Sequence, residues 1–359
     1  MRRPLAFLLP VCLVLPILAA AAQPASLASL DAVIDEAHEA GTFDGVVLVA
    51  RGDSVIYRRA VGLADRESGR SYTPDTPQPW ASITKQLTAV LMLQLVDEGH
   101  LTLSTPLSEV FPSARADGAG RVTMRHLLMN SSGLPTDLRQ DDESALKRLL
   151  AAKLSFEPGS KFQYSNIDYL VLGQVIEAVT GQAYEDALQA RVLDPLGMQG
   201  TALVHADQAD PGLATGYLSG RRNRVRAVPP TRVAAFGAAG ALAGPADDLF
   251  RFNRALLTDQ LFPRALRDTM FTGDPALGYV GLSVWPYPRA VGDQRVMLIE
   301  RQGFIEGYRG LNLLAPDEDL MLIVLANTNR ADLSQTYATD GFSYQLLRAA
   351  LQRSSESAP

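Results

Sequence analysis

The chain has 359 residues, 47% hydrophobic and 20% charged, proportions that exclude a disordered or fibrous polymer and fit a globular protein with a large core. Its 39 acidic residues outnumber 33 basic ones for a net charge of −6, so nothing in the balance attracts nucleic acid. Single cores stop growing at roughly 250–300 residues, and a chain of this length is expected to form two lobes sharing one cleft.

Residues 1–22 carry the three parts of a secretory signal peptide: Arg2 and Arg3, an apolar run from Leu5 to Leu18, and the small residues Ala19 to Ala22. Ala20 and Ala22 flank Ala21 in an A-x-A arrangement, which places cleavage before Gln23 and the mature protein in the periplasm or outside the cell. Pro4, Pro10 and Pro16 break a run already short of the about 20 apolar residues that a span needs, so no stable membrane insertion is expected after cleavage. The only cysteine, Cys12, leaves with this segment, and Val11 before it is too large for lipoprotein processing. Disulfides and thiol nucleophiles are thereby excluded from the mature chain. Losing Arg2 and Arg3 leaves 31 basic residues against 39 acidic, a net charge of −8. Residues 23–352 are expected to form the folded domain, and 353–359 a polar tail that frays.

Apolar residues recur at helical spacing from Leu27 to His38. Val46 to Ala50 and Val55 to Tyr57 read as strands joined by a Gly52-Asp53 turn, which accounts for the tripeptide Arg51-Gly52-Asp53 without any receptor. Ser82 to Gly99 predicts a helix apolar on most sides, and Val122 to Met129 a short helix closed by the turn Asn130 to Gly133. Further helices are expected over Asn166–Thr180, Ala183–Val192 and Leu242–Leu257. The cluster Arg221, Arg222, Arg224 and Arg226, set among Gly, Asn and Pro, reads as a solvated loop. Strand-like runs follow at Leu282–Val284, Val296–Ile299, Leu311–Leu314 and Leu320–Leu325, before a last helix from about Tyr337 to Leu351. This order predicts an α/β (α+β) fold, its antiparallel sheet drawn from both chain ends, flanked by helices and joined to a mostly helical lobe.

Ser82-Ile83-Thr84-Lys85 is an S-x-x-K motif at a helix start, a spacing that puts hydroxyl and amine on one face, one turn apart. A serine hydroxyl needs a neighbouring base, and a lysine of lowered pKa can serve. The helix N-terminus adds positive potential that favours the neutral amine. Tyr164-Ser165-Asn166 follows the turn Glu157 to Ser160 and opens the next helix. Cations beside a tyrosine favour its phenolate, a proton acceptor, and the Asn166 amide can hold both lysine and substrate. A plainer reading of the same residues makes Tyr164 a core aromatic and Asn166 a helix cap.

Together, Ser82-x-x-Lys85 and Tyr164-x-Asn166 resemble the first two signatures of the class C β-lactamase and D-alanyl-D-alanine carboxypeptidase family, which includes related esterases. Arg125 to Leu134, Pro158-Gly159, Leu172-Gly173, Pro195 to Met198 and Ala238 to Leu242 are similar to family segments in the same order, so the resemblance spans nearly the whole mature chain. It implies the β-lactamase/transpeptidase-like fold, catalytic roles for Ser82, Lys85 and Tyr164, and a substrate-facing Asn166. The family's third signature, Lys or His then any residue then Gly, is best matched by Arg301-Gln302-Gly303, followed by Phe304. Arginine stays charged and relays no proton, but its planar fork can grip a carboxylate. The alternative is that Arg301 pairs with Glu300 or another acid away from the site. The resemblance further implies an oxyanion hole from the backbone N–H groups of Ser82 and Phe304, with Gly303 allowing close approach.

His38, His100, His126 and His205 are not in H-E-x-x-H spacing, and neither a G-x-S-x-G elbow nor a phosphate loop occurs, so no metal and no cofactor is implied. The expected activity is acyl transfer by an exported serine hydrolase on a small acyl ester, a D-amino-acid peptide or other peptidoglycan fragment, or a β-lactam. Ester or D-peptide is favoured over a dedicated β-lactamase because the third signature is altered. The alternative from another class is a penicillin-binding or scaffold protein with slow or no turnover.

Overall fold

The computed structural model describes residues 25–352 apart from 116, 137–144, 208–209, 211, 221–223, 230 and 334–340. The signal-peptide and tail expectations, Arg221 and Arg222, and the Tyr337–Asp340 start of the last helix lie outside the described residues. The main elements are α1 (Ala25–Glu39), β1 (Gly45–Arg51), β2 (Ser54–Val61), α2 (Thr84–Asp97), α3 (Asn166–Thr180), α4 (Ala246–Leu257), β3 (Trp285–Val291), β4 (Gln294–Ile305), β5 (Tyr308–Ala315), β6 (Leu320–Ala326) and α5 (Phe342–Leu351).

Six strands form one antiparallel sheet in the order β3-β4-β5-β6-β1-β2, so the first strands close onto the last, with Gly45 opposite Ala326 and Arg51 opposite Leu320. Side chains alternate across a strand, and both faces are covered here. Val47, Val49, Leu322 and Val324 meet Leu30 and Ile34 of α1 and Leu346 and Leu347 of α5. Val46, Leu48, Ile323 and Leu325 point the other way into the larger core with Leu87, Leu91 and Leu172. This is why β6 reads as an unbroken apolar run instead of an alternating one. The Arg51-Gly52-Asp53 tip is a hairpin turn, and Asp53 pairs with Arg254 at 2.6 Å.

α2 runs through the middle of the molecule, with every residue from Thr84 to Leu93 buried. Four expectations need correction. Arg226, read as part of a loop, lies in the exposed strand Val225–Ala227, which pairs with Tyr217–Ser219. Leu242–Gly244 is a strand, not the first turn of a helix, because it is sandwiched between Gln78–Pro79 and Ala202–Leu203; the helix starts only after the extended Pro245. Leu282–Val284 is a bend, with Ser283 at φ 73°, and the strand begins at Trp285. Pro286 and Pro288 hide that strand in the sequence, and both are tolerated because β3 is a sheet edge. The helix expected over Ala183–Val192 is α-helical only over Tyr184–Leu188 and widens into a π turn at Gln189–Leu193. Among the described residues no helix is long and apolar enough to cross a membrane.

Candidate active site

Ser82 lies in a 3-10 turn, Ala81–Ile83, that feeds directly into α2. Two anchors hold this turn. The Trp80 backbone N–H donates to the Leu242 carbonyl at 2.8 Å, and its indole N–H donates to the Gly244 carbonyl at 2.9 Å. Ala81, at φ 51°, takes a left-handed conformation that L side chains disfavour by roughly 1–2 kcal/mol, so the chain is bent sharply just before Ser82. One helical turn later, Lys85 is fully buried beneath it.

α3 brings the second pair. Its N-cap is Ser165, whose hydroxyl accepts from the Asp168 N–H, so Asn166 is the first helical residue and not the cap. Tyr164 therefore sits just outside the helix, 42% exposed, and is not a core aromatic. The Ser82 Oγ lies 2.5 Å from the Tyr164 hydroxyl and 3.1 Å from Lys85 Nζ. Lys85 Nζ also lies 2.8 Å from Asn166 Oδ1 and 2.5 Å from the Ala239 carbonyl oxygen.

Those contacts bear on the charge of Lys85. Asn166 Oδ1 and the Ala239 carbonyl can only accept, so they take two N–H bonds, and a neutral amine would keep its lone pair for the Ser82 hydroxyl. Burial holds the Lys85 ammonium well below the ordinary lysine range, the Arg301 charge adds to this, and Asp168 opposes it. Asp168 is itself fully buried, accepting from Ser132 Oγ at 2.7 Å and Asn130 Nδ2 at 3.2 Å. Burial pushes its carboxyl up to about 7 against those hydrogen bonds and the Lys85 charge.

Arg301 comes from β4 and is 1% exposed. It does not pair with Glu300. Neighbouring strand residues point to opposite faces, and Glu300 instead accepts from Tyr287 and Gln302. Arg301 Nε donates to the Ser82 carbonyl oxygen at 2.8 Å and Nη1 to the Ser283 carbonyl oxygen at 3.1 Å, while Nη2 makes a long 3.4 Å contact with the Tyr164 hydroxyl. Two of the three nitrogens in the fork expected to grip a carboxylate are thus held by backbone. Two residues on, Gly303 faces the Ser82 turn so closely that a Cβ there would meet the Trp80 carbonyl oxygen at 2.1 Å. Phe304 is 63% exposed at the rim, stacked on Arg309.

Ser82, Tyr164, Asn166, Arg301 and Phe304 line a single open cleft of about 290 Å³. Gly303 lies behind it and Lys85 below. The cleft adds Phe236, Gly240, Trp285, Gln302 and Ile305, none of which the sequence reading singled out for chemistry. One signal was available: Trp80 and Trp285 are the only tryptophans, and they flank the Ser82 turn and the cleft respectively. His126 is engaged elsewhere, in a reciprocal cap with Thr123 at the start of the helix Met124–Leu128.

The arrangement can take a proton from a serine hydroxyl and hold the resulting oxygen near backbone. Comparison with known proteins gives the same class of chemistry. The beta-lactamase family model matches residues 30–340. Esterase EstB of Burkholderia gladioli is 36% identical, over 86% of this chain and 91% of its own. The putative penicillin-binding protein PbpX of Bacillus subtilis is 26% identical, over 85% of this chain and 75% of its own. A D-stereospecific amidohydrolase from Streptomyces sp. superposes with a TM-score of 0.73 at 25% identity, covering 90% of this chain and 98% of its own.

Proposed function

The chain belongs to the beta-lactamase family and is a serine hydrolase, and from that premise we propose that it hydrolyses small acyl esters through an acyl-enzyme on Ser82. One observation carries the reading: the Ser82 Oγ stands 2.5 Å from the Tyr164 hydroxyl and 3.1 Å from Lys85 Nζ at the floor of an open cleft. The 36% identity to an esterase over most of both chains supports ester over β-lactam or D-peptide.

Ser82 Oγ attacks the ester carbonyl as its proton passes to the Tyr164–Lys85 pair. The Oγ–C bond forms, the bond to the alcohol oxygen breaks, and the pair returns the proton to that leaving oxygen. Water then adds to the acyl carbon, giving a proton to the same pair. Cleavage of the Oγ–C bond frees the acid, and Ser82 regains its proton. The N–H groups of Ser82 and Phe304 hold the carbonyl oxygen through both steps, a role that the close approach of Gly303 to Trp80 supports. Residues 1–22, with their basic, apolar and small-residue parts, support an exported enzyme.

The test is intact mass after a brief fluorophosphonate pulse, beside turnover of p-nitrophenyl butyrate and of a penicillin. A stoichiometric adduct on Ser82, lost in Ser82→Ala, with butyrate turned over, is the expected result. Equal labelling of both proteins would remove Ser82 as the nucleophile. A long-lived penicillin adduct without ester turnover would instead favour a binding protein.

A further inference from the structure

Arg301 is the one cation among the described residues that line the cleft, and each of its three nitrogens already has a partner, Nη2 through the long 3.4 Å contact with the Tyr164 hydroxyl. Nε and Nη1 hold the carbonyl oxygens of Ser82 and Ser283 at 2.8 and 3.1 Å. Trp285 covers the guanidinium, its ring centroid 5.1 Å from Cζ. The Ser283 carbonyl cannot easily turn away, because Ser283 is held at φ 73° and its N–H donates to Leu128 at 3.1 Å. The donors of the cations behind the lining are engaged as well. Lys85 is buried among three oxygens, and Arg309 lies beneath Phe304 with hydrogen bonds to the carbonyls of Ile305, Tyr308 and Asn329.

The rest of the lining is aromatic or uncharged, and the lining residue Gln302 is tied to the buried carboxylate of Glu300. We infer that this cleft selects acyl donors lacking a carboxylate, because Arg301 serves as a positioning residue for the Ser82 turn and not as an anion clamp. The inference rests on the ester-hydrolase reading above and names the substrate class within it. A carboxylate entering the cleft would lose water and find no open bidentate fork on Arg301 to replace it, a desolvation that the guanidinium charge offsets only in part. Turning Arg301 towards it would strand two backbone carbonyls that now have a charged donor.

The test compares p-nitrophenyl hexanoate with mono-p-nitrophenyl adipate, which share a six-carbon acyl chain and differ in a terminal carboxylate, each corrected for its uncatalysed rate. Wild-type kcat/KM is expected to favour hexanoate on the order of 10-fold or more. Arg301→Met and Arg301→Lys should lower kcat for hexanoate with little change in KM and leave the selectivity ratio in place, with Lys the milder if both fold. Phe304→Lys, which sets an unengaged cation at the rim, should narrow the ratio. Adipate turned over as well as hexanoate by the wild type would overturn the inference, as would an Arg301→Met whose KM rises for adipate alone. Those results leave Ser82 labelling intact. No labelling and no turnover of either ester would overturn the ester-hydrolase reading and this inference with it.

Discussion

A methyl group at Gly303 would stand 2.1 Å from the carbonyl oxygen of Trp80, so β4 and the Ser82 turn touch backbone to backbone. No side chain fits between them. Gly303→Ala is expected to push the strand away from Ser82, costing about 1–3 kcal/mol of stability as overpacking. Displacing the Phe304 N–H should also cost roughly 10²–10³ in acylation rate. Thermal melting and the rate of fluorophosphonate labelling measure the two effects separately.

Activity should depend on pH through Lys85. In the proposed mechanism the reactive form is the neutral amine, and burial with the neighbouring Arg301 charge holds its pKa well below the usual 10.5. The kcat/KM profile is therefore expected to rise with pH and level off well below the ordinary lysine range. Asp168 opposes that shift, so Asp168→Asn should move the rising limb to still lower pH. A limb that moved upward would contradict this electrostatic arrangement. Lys85→Met should lower kcat/KM by at least about 10²–10⁴, the usual contribution of a positioned base.

Asp168 should also make stability depend on pH. Its carboxyl is raised from 3.8 to about 7 in the fold, so the folded state binds more proton than the unfolded chain between those values. Its contribution is fully present below about 3.8 and is lost as pH rises through about 7. The difference in melting temperature between wild type and Asp168→Asn, followed from pH 4 to 8, isolates this group. Wild type is expected to lose ground relative to the variant as pH rises.

Behind the cleft, Asn312 of β5 exchanges two hydrogen bonds with Asn253 of α4, at 2.7 and 2.8 Å, and donates to Gln86 of α2 at 2.9 Å. All three are buried. Asn312→Ala leaves two amides unsatisfied, at about 1–3 kcal/mol each. A lower denaturation midpoint with near-normal kcat at low temperature is the expected outcome.

The sequence made most elements on the larger sheet readable, because β1, β5 and β6 are β-branched or leucine-rich runs bounded by turn residues. α3 was legible to the residue at both ends, Asn166 and Thr180, although its cap is Ser165 and not Asn166. Ser82 and the three side chains around it, Lys85, Tyr164 and Asn166, were legible because two motifs fix them locally at the starts of two helices. What could not be read depends on contacts between distant segments. The bend at Ala81 follows from Trp80 being tied to Leu242 and Gly244, and no local pattern announces it. Asp168 looks like an ordinary first-turn acid until Asn130 and Ser132 close over it. Arg301 was placed by its motif, yet its partners, the carbonyls of Ser82 and Ser283, are far from it in sequence or hidden in a bend.

The pairing of β1 with β6 also sets an order of assembly. Gly45 cannot find Ala326 until nearly the whole polypeptide exists, and such non-local closure slows folding. A growing chain that has just passed α4 already carries Ser82, Lys85, Tyr164 and Asn166, but neither Arg301 nor Gly303. The Ser82 turn then lacks the strand that braces it. Reactivity at Ser82 is therefore expected to be the last property the molecule acquires, which would spare an unfinished chain from acylating itself on whatever carbonyl compound it meets.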